Sequence, residues 1–208
     1  MSQALPQAIP AAVPATRQPI GRYTRVAAVL HWGVAVLIVA NVALALVAES
    51  LPDDFIRPAI DLHKSVGLTV LGLVLLRILW RIAHPPPLLP AKYGRLERLG
   101  AHAAHLVLYG LILVLPISGW LHDSAFKFAA AHPLRLFWVV PWFRIAAVQN
   151  LDPVTKEAVH DQFYALHAWS AYALYALLAL HILGALKHQW IDGEAELQRM
   201  RVGAMPAK

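Results

Sequence analysis

Residues 163–189 read FYALHAWSAYALYALLALHILGALKHQ, with Lys187 the one lysine, arginine or acidic residue among them. A helix rising 1.5 Å per residue needs about 20 residues to cross the roughly 30 Å of hydrocarbon in a bilayer, so this stretch is long enough to span one. His167 and His181 stand fourteen residues apart in it. Fourteen residues are close to four helical turns, which puts both rings on one face about 21 Å apart along the axis. An imidazole in lipid is costly without a partner and is a functional candidate by default. The segment therefore reads as a spanning helix that carries two ligand side chains at two depths.

Working outward, three more runs have the same character: Val26–Ala48, Leu62–Ala83 and Leu99–Trp120, the last with Pro116 near its end. No aspartate or glutamate falls in any of the four runs, as expected where an ionised carboxylate is expensive. Of the 208 residues, 59% are hydrophobic and 14% are charged, too apolar for an ordinary soluble domain. The expected fold is all-α, an integral membrane four-helix bundle over residues 21–190. It is preceded by a disordered arm (1–20, with four prolines) and followed by a tail (191–208). The net charge of +6 raises nucleic acid as a partner. The basic residues flank the apolar runs instead of forming one patch, so they read as topology. Arg17, Arg22 and Arg25, the group Arg81 to Arg98, and Lys187 to Lys208 all lie at one end, which places both termini, arm and tail in the cytoplasm.

Depth along the helices sorts the histidines into levels. His31 is five residues into an outward-running span, and His181 is eight residues before the end of an inward-running one. These positions are about 8 and 12 Å from the inner edge. His63 opens the second span and His167 lies near the start of the fourth, so both belong at the outer side. Two level pairs follow, His31 with His181 and His63 with His167. Low-spin haem takes two axial imidazoles, and two haems stacked through a bilayer need this placement. A bare metal such as zinc would need three or four ligands converging on one point, often with a carboxylate. With no cysteine in the chain, iron–sulfur clusters, disulfides and covalently attached c-type haem are excluded. Gly33, Gly67, Gly72, Ala168 and Ala171 are small enough to make room for a porphyrin, although such residues are common in membrane helices anyway.

The segments RYTRVAAVLHWGVAVLIVANVAL, DLHKSVGLTVLGLVLLRILWR, LGAHAAHLVLYGLILVLPISGW and LHAWSAYALYALLALHILGALKHQW together resemble the bacterial cytochrome b561 family over roughly residues 22–190. The order and spacing of His31, His63, His167 and His181 agree with that family's haem ligands. The wider group includes the cytochrome b subunits of nickel–iron hydrogenases. The resemblance implies two haem b groups, a bacterial inner-membrane location and electron transfer across the bilayer. In the superoxide oxidase type it implies electrons taken from superoxide outside and delivered to ubiquinone. The alternative it offers is a membrane anchor that passes electrons for a hydrogenase or dehydrogenase partner.

Other residues carry weaker signals. Arg77 is fourteen residues after His63, hence on its face and near the inner pair, where a haem propionate or quinone oxygen would answer its charge. The alternative is snorkelling to the headgroups, the reading preferred for Arg81. His188, seven residues after His181, is either a proton donor to a quinone carbonyl or a plain interfacial histidine. His102 and His105 are candidates for propionate contacts. Lys64, Lys127, Arg135, Arg144 and Lys156 could steer a small anion to the outer side, with ordinary solvated charge as the stronger reading. The loop expected over 121–162 contains PLRLFWVVPWF, read as an interfacial cap or aromatic anchor, or as a docking surface if a protein redox partner exists.

Overall fold

The computed structural model describes residues 21–48, 50–90 and 92–203; the arm at 1–20 lies outside the described residues. Four helices are long and apolar enough to cross a membrane: α1 (Arg25–Ala48), α2 (Asp53–Ala83), α3 (Arg95–Ser124) and α5 (Pro153–Leu186), the last prolonged by a π-helical turn, Lys187–Ile191. Between α3 and α5 come a two-stranded hairpin, β1 (Arg135–Leu136) and β2 (Val140–Pro141), and a short α4 (Ala146–Gln149). A last short helix, α6 (Glu196–Arg199), follows α5.

The helices outrun the apolar runs in the sequence. α2 begins nine residues earlier, at Asp53, and α5 ten residues earlier, at Pro153. Hydropathy registers only the turns inside hydrocarbon, whereas the extra turns stand in water and are set by local chemistry. Asp53 and Asp54 complement the dipole at the start of α2. Asp152 caps α5 by accepting from the N–H groups of Val154 and Thr155, and Pro153 sits where its missing N–H costs nothing. The α3–α5 connection is correspondingly shorter than 121–162 and runs over 125–152.

α1 packs along α2 and α3 along α5, with α2 against α3 joining the two pairs. One apolar cluster fills the middle: Val34 and Ile38 of α1, Val66, Val70 and Val74 of α2, Leu108 of α3 and Leu174 of α5. Outward-facing side chains such as Val36, Leu79, Leu106 and Leu180 are more than half exposed, the lipid-facing surface of a bundle.

The two ends differ. At the hairpin end, Asp123 of α3 is buried between Lys64 of α2 (2.7 Å) and Arg144 (2.8 Å). Arg144 also donates to the carbonyls of Ala129 and His132, which fastens the connection to the bundle. The hairpin turns through Phe137 and Trp138, both left-handed (φ 49° and 63°). That conformation costs a side-chain-bearing residue about 1–2 kcal/mol and is ordinarily given to glycine or asparagine.

At the opposite, terminal end, Gly193 (φ 69°) closes α5's extension and the tail folds back. Buried Arg199 donates to the carbonyls of Gly21, Pro87 and Leu88 and pairs with Glu196. Trp32 of α1 donates to Met200 O, and Arg22 to the carbonyls of Arg201 and Gly203. Burial, with the Glu196 carboxylate accepting its hydrogen bond, pushes the Tyr93 phenol above its ordinary range. Residues 191–203 of the segment expected as a tail therefore form a cap tied to three parts of the chain.

Candidate functional site

Four histidines meet in two pairs, one toward each end of the bundle. His31 (α1) faces His181 (α5) with ring centroids 6.4 Å apart and planes at 71°. His63 (α2) faces His167 (α5) at 6.1 Å and 75°. α5 thus supplies one ring to each pair. Both pairs lie across the side of the bundle where α5 faces α1 and α2, which pack less closely on α5 than α3 does.

The separations suit a bridging iron. Two imidazoles on opposite sides of one metal, each bonded at about 2.0 Å, set their centroids about 6.3 Å apart. A cavity of about 440 Å³ surrounds the hairpin-end pair, lined by Asn41, His63, Gly67, Gly119, His167 and Leu174 among others. Its size falls in the range of cofactor sites, and its wall is apolar with a few polar groups. Asn41 Oδ1 is buried in that wall with no hydrogen-bond partner, an unmet acceptor of the sort a bound group or its solvent satisfies. Among the described residues no three histidine, aspartate or glutamate side chains converge as a bare-metal site.

The hairpin-end rings are held in one orientation. His63 Nδ1 lies 3.1 Å from Asn41 O, and His167 Nδ1 lies 2.9 Å from Leu115 O and 3.2 Å from Ser118 Oγ. A carbonyl only accepts, so Nδ1 carries the proton and Nε2 keeps its lone pair for a metal. These outer contacts fix the tautomer and raise ligand basicity. Gly119 completes the seat: a Cβ there would lie 3.2 Å from His167 Cε1 and 3.3 Å from its Nδ1.

The terminal-end pair has different company. His105 of α3 places its ring 5.4 Å from His181, a third imidazole at this level. Arg77 donates from Nε to the Tyr109 hydroxyl (2.9 Å) and from a terminal nitrogen to Ala27 O (3.2 Å). Its charge lies near His31, His105 and His181. His188 sits on the π turn, donating from Nδ1 to Asp192 Oδ2 (2.6 Å) with its ring against Tyr93 (4.5 Å). The Lys187 ammonium, and after it His188, hold the Asp192 carboxyl below the usual carboxylate range. His102 donates to Arg98 O one turn back and is exposed.

Of the five cations considered for anion steering, Lys64 and Arg144 are committed to Asp123, and Lys156 donates to Gln149 O. Sequence reasoning gave no role to His122 and His160, which stack at 3.9 Å, each donating from Nδ1 to the other's carbonyl, in the wall of the cavity. Nothing in their 38-residue separation signals that contact.

A membrane-spanning helical bundle with histidines paired between helices at two levels has the architecture of a b-type cytochrome. The family model for prokaryotic cytochrome b561 matches residues 22–203, and the chain belongs to that family. It is similar to cytochrome b561 homolog 2 of Escherichia coli (strain K12), 35% identical over 181 residues, covering 86% of this chain and 90% of that protein. It is also similar to the probable superoxide oxidase CybB of Yersinia pestis, 28% identical over 180 residues, 86% and 93% of the two chains. Family membership makes this a multi-pass membrane electron-transfer protein that binds haem b.

Proposed function

We propose that the protein carries two haem b groups, one held by His31 and His181 and the other by His63 and His167, and that it oxidises superoxide at the hairpin end and reduces ubiquinone toward the terminal end. The observation that carries this reading is the pair of ring separations, 6.4 and 6.1 Å, at two levels of one helix. The name of the Yersinia relative supports the donor. The lysine and arginine excess at the terminal end supports a cytoplasmic location for that end, and hence residence in the bacterial inner membrane.

When bound, haem b supplies a one-electron carrier at each pair. The chain does the rest. Asn41 O and Leu115 O hold His63 and His167 with Nε2 available, and the apolar cluster from Val34 to Leu174 keeps water out between the two levels. The balance is two superoxide ions giving two dioxygen and two electrons, which with two protons convert one ubiquinone to ubiquinol. The protons are needed only at the acceptor. In this reading His188, backed by Asp192, delivers them, and Arg77 holds a quinone oxygen or a propionate.

Mixing the purified protein alone with a superoxide source and a ubiquinone analogue tests this directly. The reduced b-type band should rise with superoxide and decay on adding the quinone. A spectrum that superoxide leaves oxidised would sink the oxidase reading, and copurification of a large catalytic subunit would favour the membrane-anchor role instead.

A further inference from the structure

The hairpin between α3 and α5 is not used by any step above, and its tip is an apolar surface. Residues 136–143, LFWVVPWF, carry no charge, and Phe137, Trp138, Val139, Val140 and Phe143 are all exposed. We propose that this tip is inserted into the interfacial layer of the membrane beside α2, so that its partner is lipid and not a redox protein.

Level is the first argument. The Phe137 N–H donates to Ser65 Oγ at 2.9 Å. Ser65 directly follows the last charged residues of that end of α2, Asp61 and Lys64, and the run from Val66 to Leu76 is uncharged. The tip is therefore tied to the helix where hydrocarbon begins. It is continuous with the exposed apolar surface that the spanning helices already present to lipid.

Backbone chemistry is the second. A non-helical segment enters an apolar layer only if its polar groups are met internally. Here Phe137 N–H is bonded to Ser65, Val139 N–H to Leu136 O (3.0 Å), and Trp142 N–H to Leu134 O (2.9 Å). Leu134 turns inward to the cavity wall and Trp142 is half-buried, while Phe137, Trp138 and Phe143 are exposed.

The turn itself is the third. Glycine and asparagine suit the left-handed positions that Phe137 and Trp138 occupy, and both are water-compatible. Two large aromatic residues there are unfavourable for the turn and favourable for a membrane interface, where tryptophan concentrates.

The chain has no cysteine, so single cysteines introduced for nitroxide labelling report one site each. Val139→Cys is compared, in phosphatidylcholine nanodiscs, with Val36→Cys midway along α1 and with Val154→Cys at the charged start of α5. All three positions are exposed. The expected result is an oxygen-to-nickel-reagent accessibility ratio at 139 several-fold above that at 154 and approaching that at 36. A ratio equal to that at 154 would place the tip in water and overturn the proposal. Exclusion of both reagents at 139, which marks a protein contact, would overturn it equally. Val140→Cys repeats the measurement should Val139→Cys lose the b-type spectrum that reports a folded bundle.

Discussion

The two histidine pairs share a helix and nearly the same ring separation, yet their surroundings are built differently. At the hairpin end each ring is locked by a backbone carbonyl of another helix, His63 by Asn41 O and His167 by Leu115 O, inside a roomy apolar cavity. Nearby charge is consumed locally, with Asp123 neutralised by Lys64 and Arg144. At the terminal end His181 has a second imidazole neighbour in His105, and Arg77 is aimed into the same space under a cap of folded-back tail. One end is made rigid by hydrogen bonds. The other keeps a positive charge and titratable groups, which is where a quinone taking up protons would need them.

That contrast can be broken, and the largest effect is expected at Asp123. Replacing it with asparagine leaves buried Arg144 without a carboxylate and Lys64 with Asp61 alone, 3.6 Å away. The loss of stability should be about 3–5 kcal/mol, read as a drop in thermal midpoint, with the hairpin-end haem lost before the other. Equal loss of both haems would show that the triad serves the whole bundle and not that end.

Arg77→Met comes next. It removes two charged hydrogen bonds, to Tyr109 and Ala27, each at the lower end of about 1.5–3 kcal/mol because Arg77 is only half-buried. Its spectroscopic signature should appear in the terminal-end haem alone, as a shift in midpoint potential. A shift in the hairpin-end haem would contradict the placement.

Gly119→Ala sharpens the comparison from the opposite side. The added methyl presses on the His167 ring at 3.2–3.3 Å, so the ring must move by a few tenths of an ångström, a strain of about 1–3 kcal/mol. Electron paramagnetic resonance should show altered g-values for the hairpin-end haem with the other unchanged. Unaltered g-values for both would mean that the seat does not govern ligand geometry.

The smallest effect concerns pH. The Asp192 carboxyl is held below its ordinary pKa, first by Lys187 and then by His188. A depressed folded-state pKa gives a contribution that is complete above about pH 4 and lost as the pH falls through the lower folded value. Below that point the wild-type π turn and α6 should fall to the amide protection that Asp192→Asn shows at neutral pH, each rate being referred to the intrinsic exchange rate at its own pH. Mass-spectrometric exchange over residues 187–199 reads this, and a wild-type protection that acid leaves unchanged would remove Asp192 from the cap.

Legibility in the sequence follows the same division. The four spans were readable because an uninterrupted apolar run of bilayer length has few other uses, and the histidine levels because rise per residue converts position into depth. That reasoning placed His31 beside His181 and His63 beside His167 as neighbours, which the structure shows as ring pairs. It could not see what depends on rotation about the helix axis or on loop geometry. His105 turning toward His181, Gly119 meeting His167, and the His122–His160 stack each need the facing helix to be known. The turns of α2 before Leu62 and of α5 before Phe163 were missed because they are helical for capping and dipole reasons, outside what hydropathy measures.

The central claim is that two haems are held by these four histidines in these two pairs. Haem content per chain, measured on the purified wild type and on His31→Ala, His63→Ala, His167→Ala and His181→Ala, tests it most directly. The account predicts two haems in the wild type. One and the same spectral component should be missing from the His63 and His167 variants, and the other from the His31 and His181 variants. A single haem in the wild type, or His31 and His63 variants that lose the same component, would contradict it.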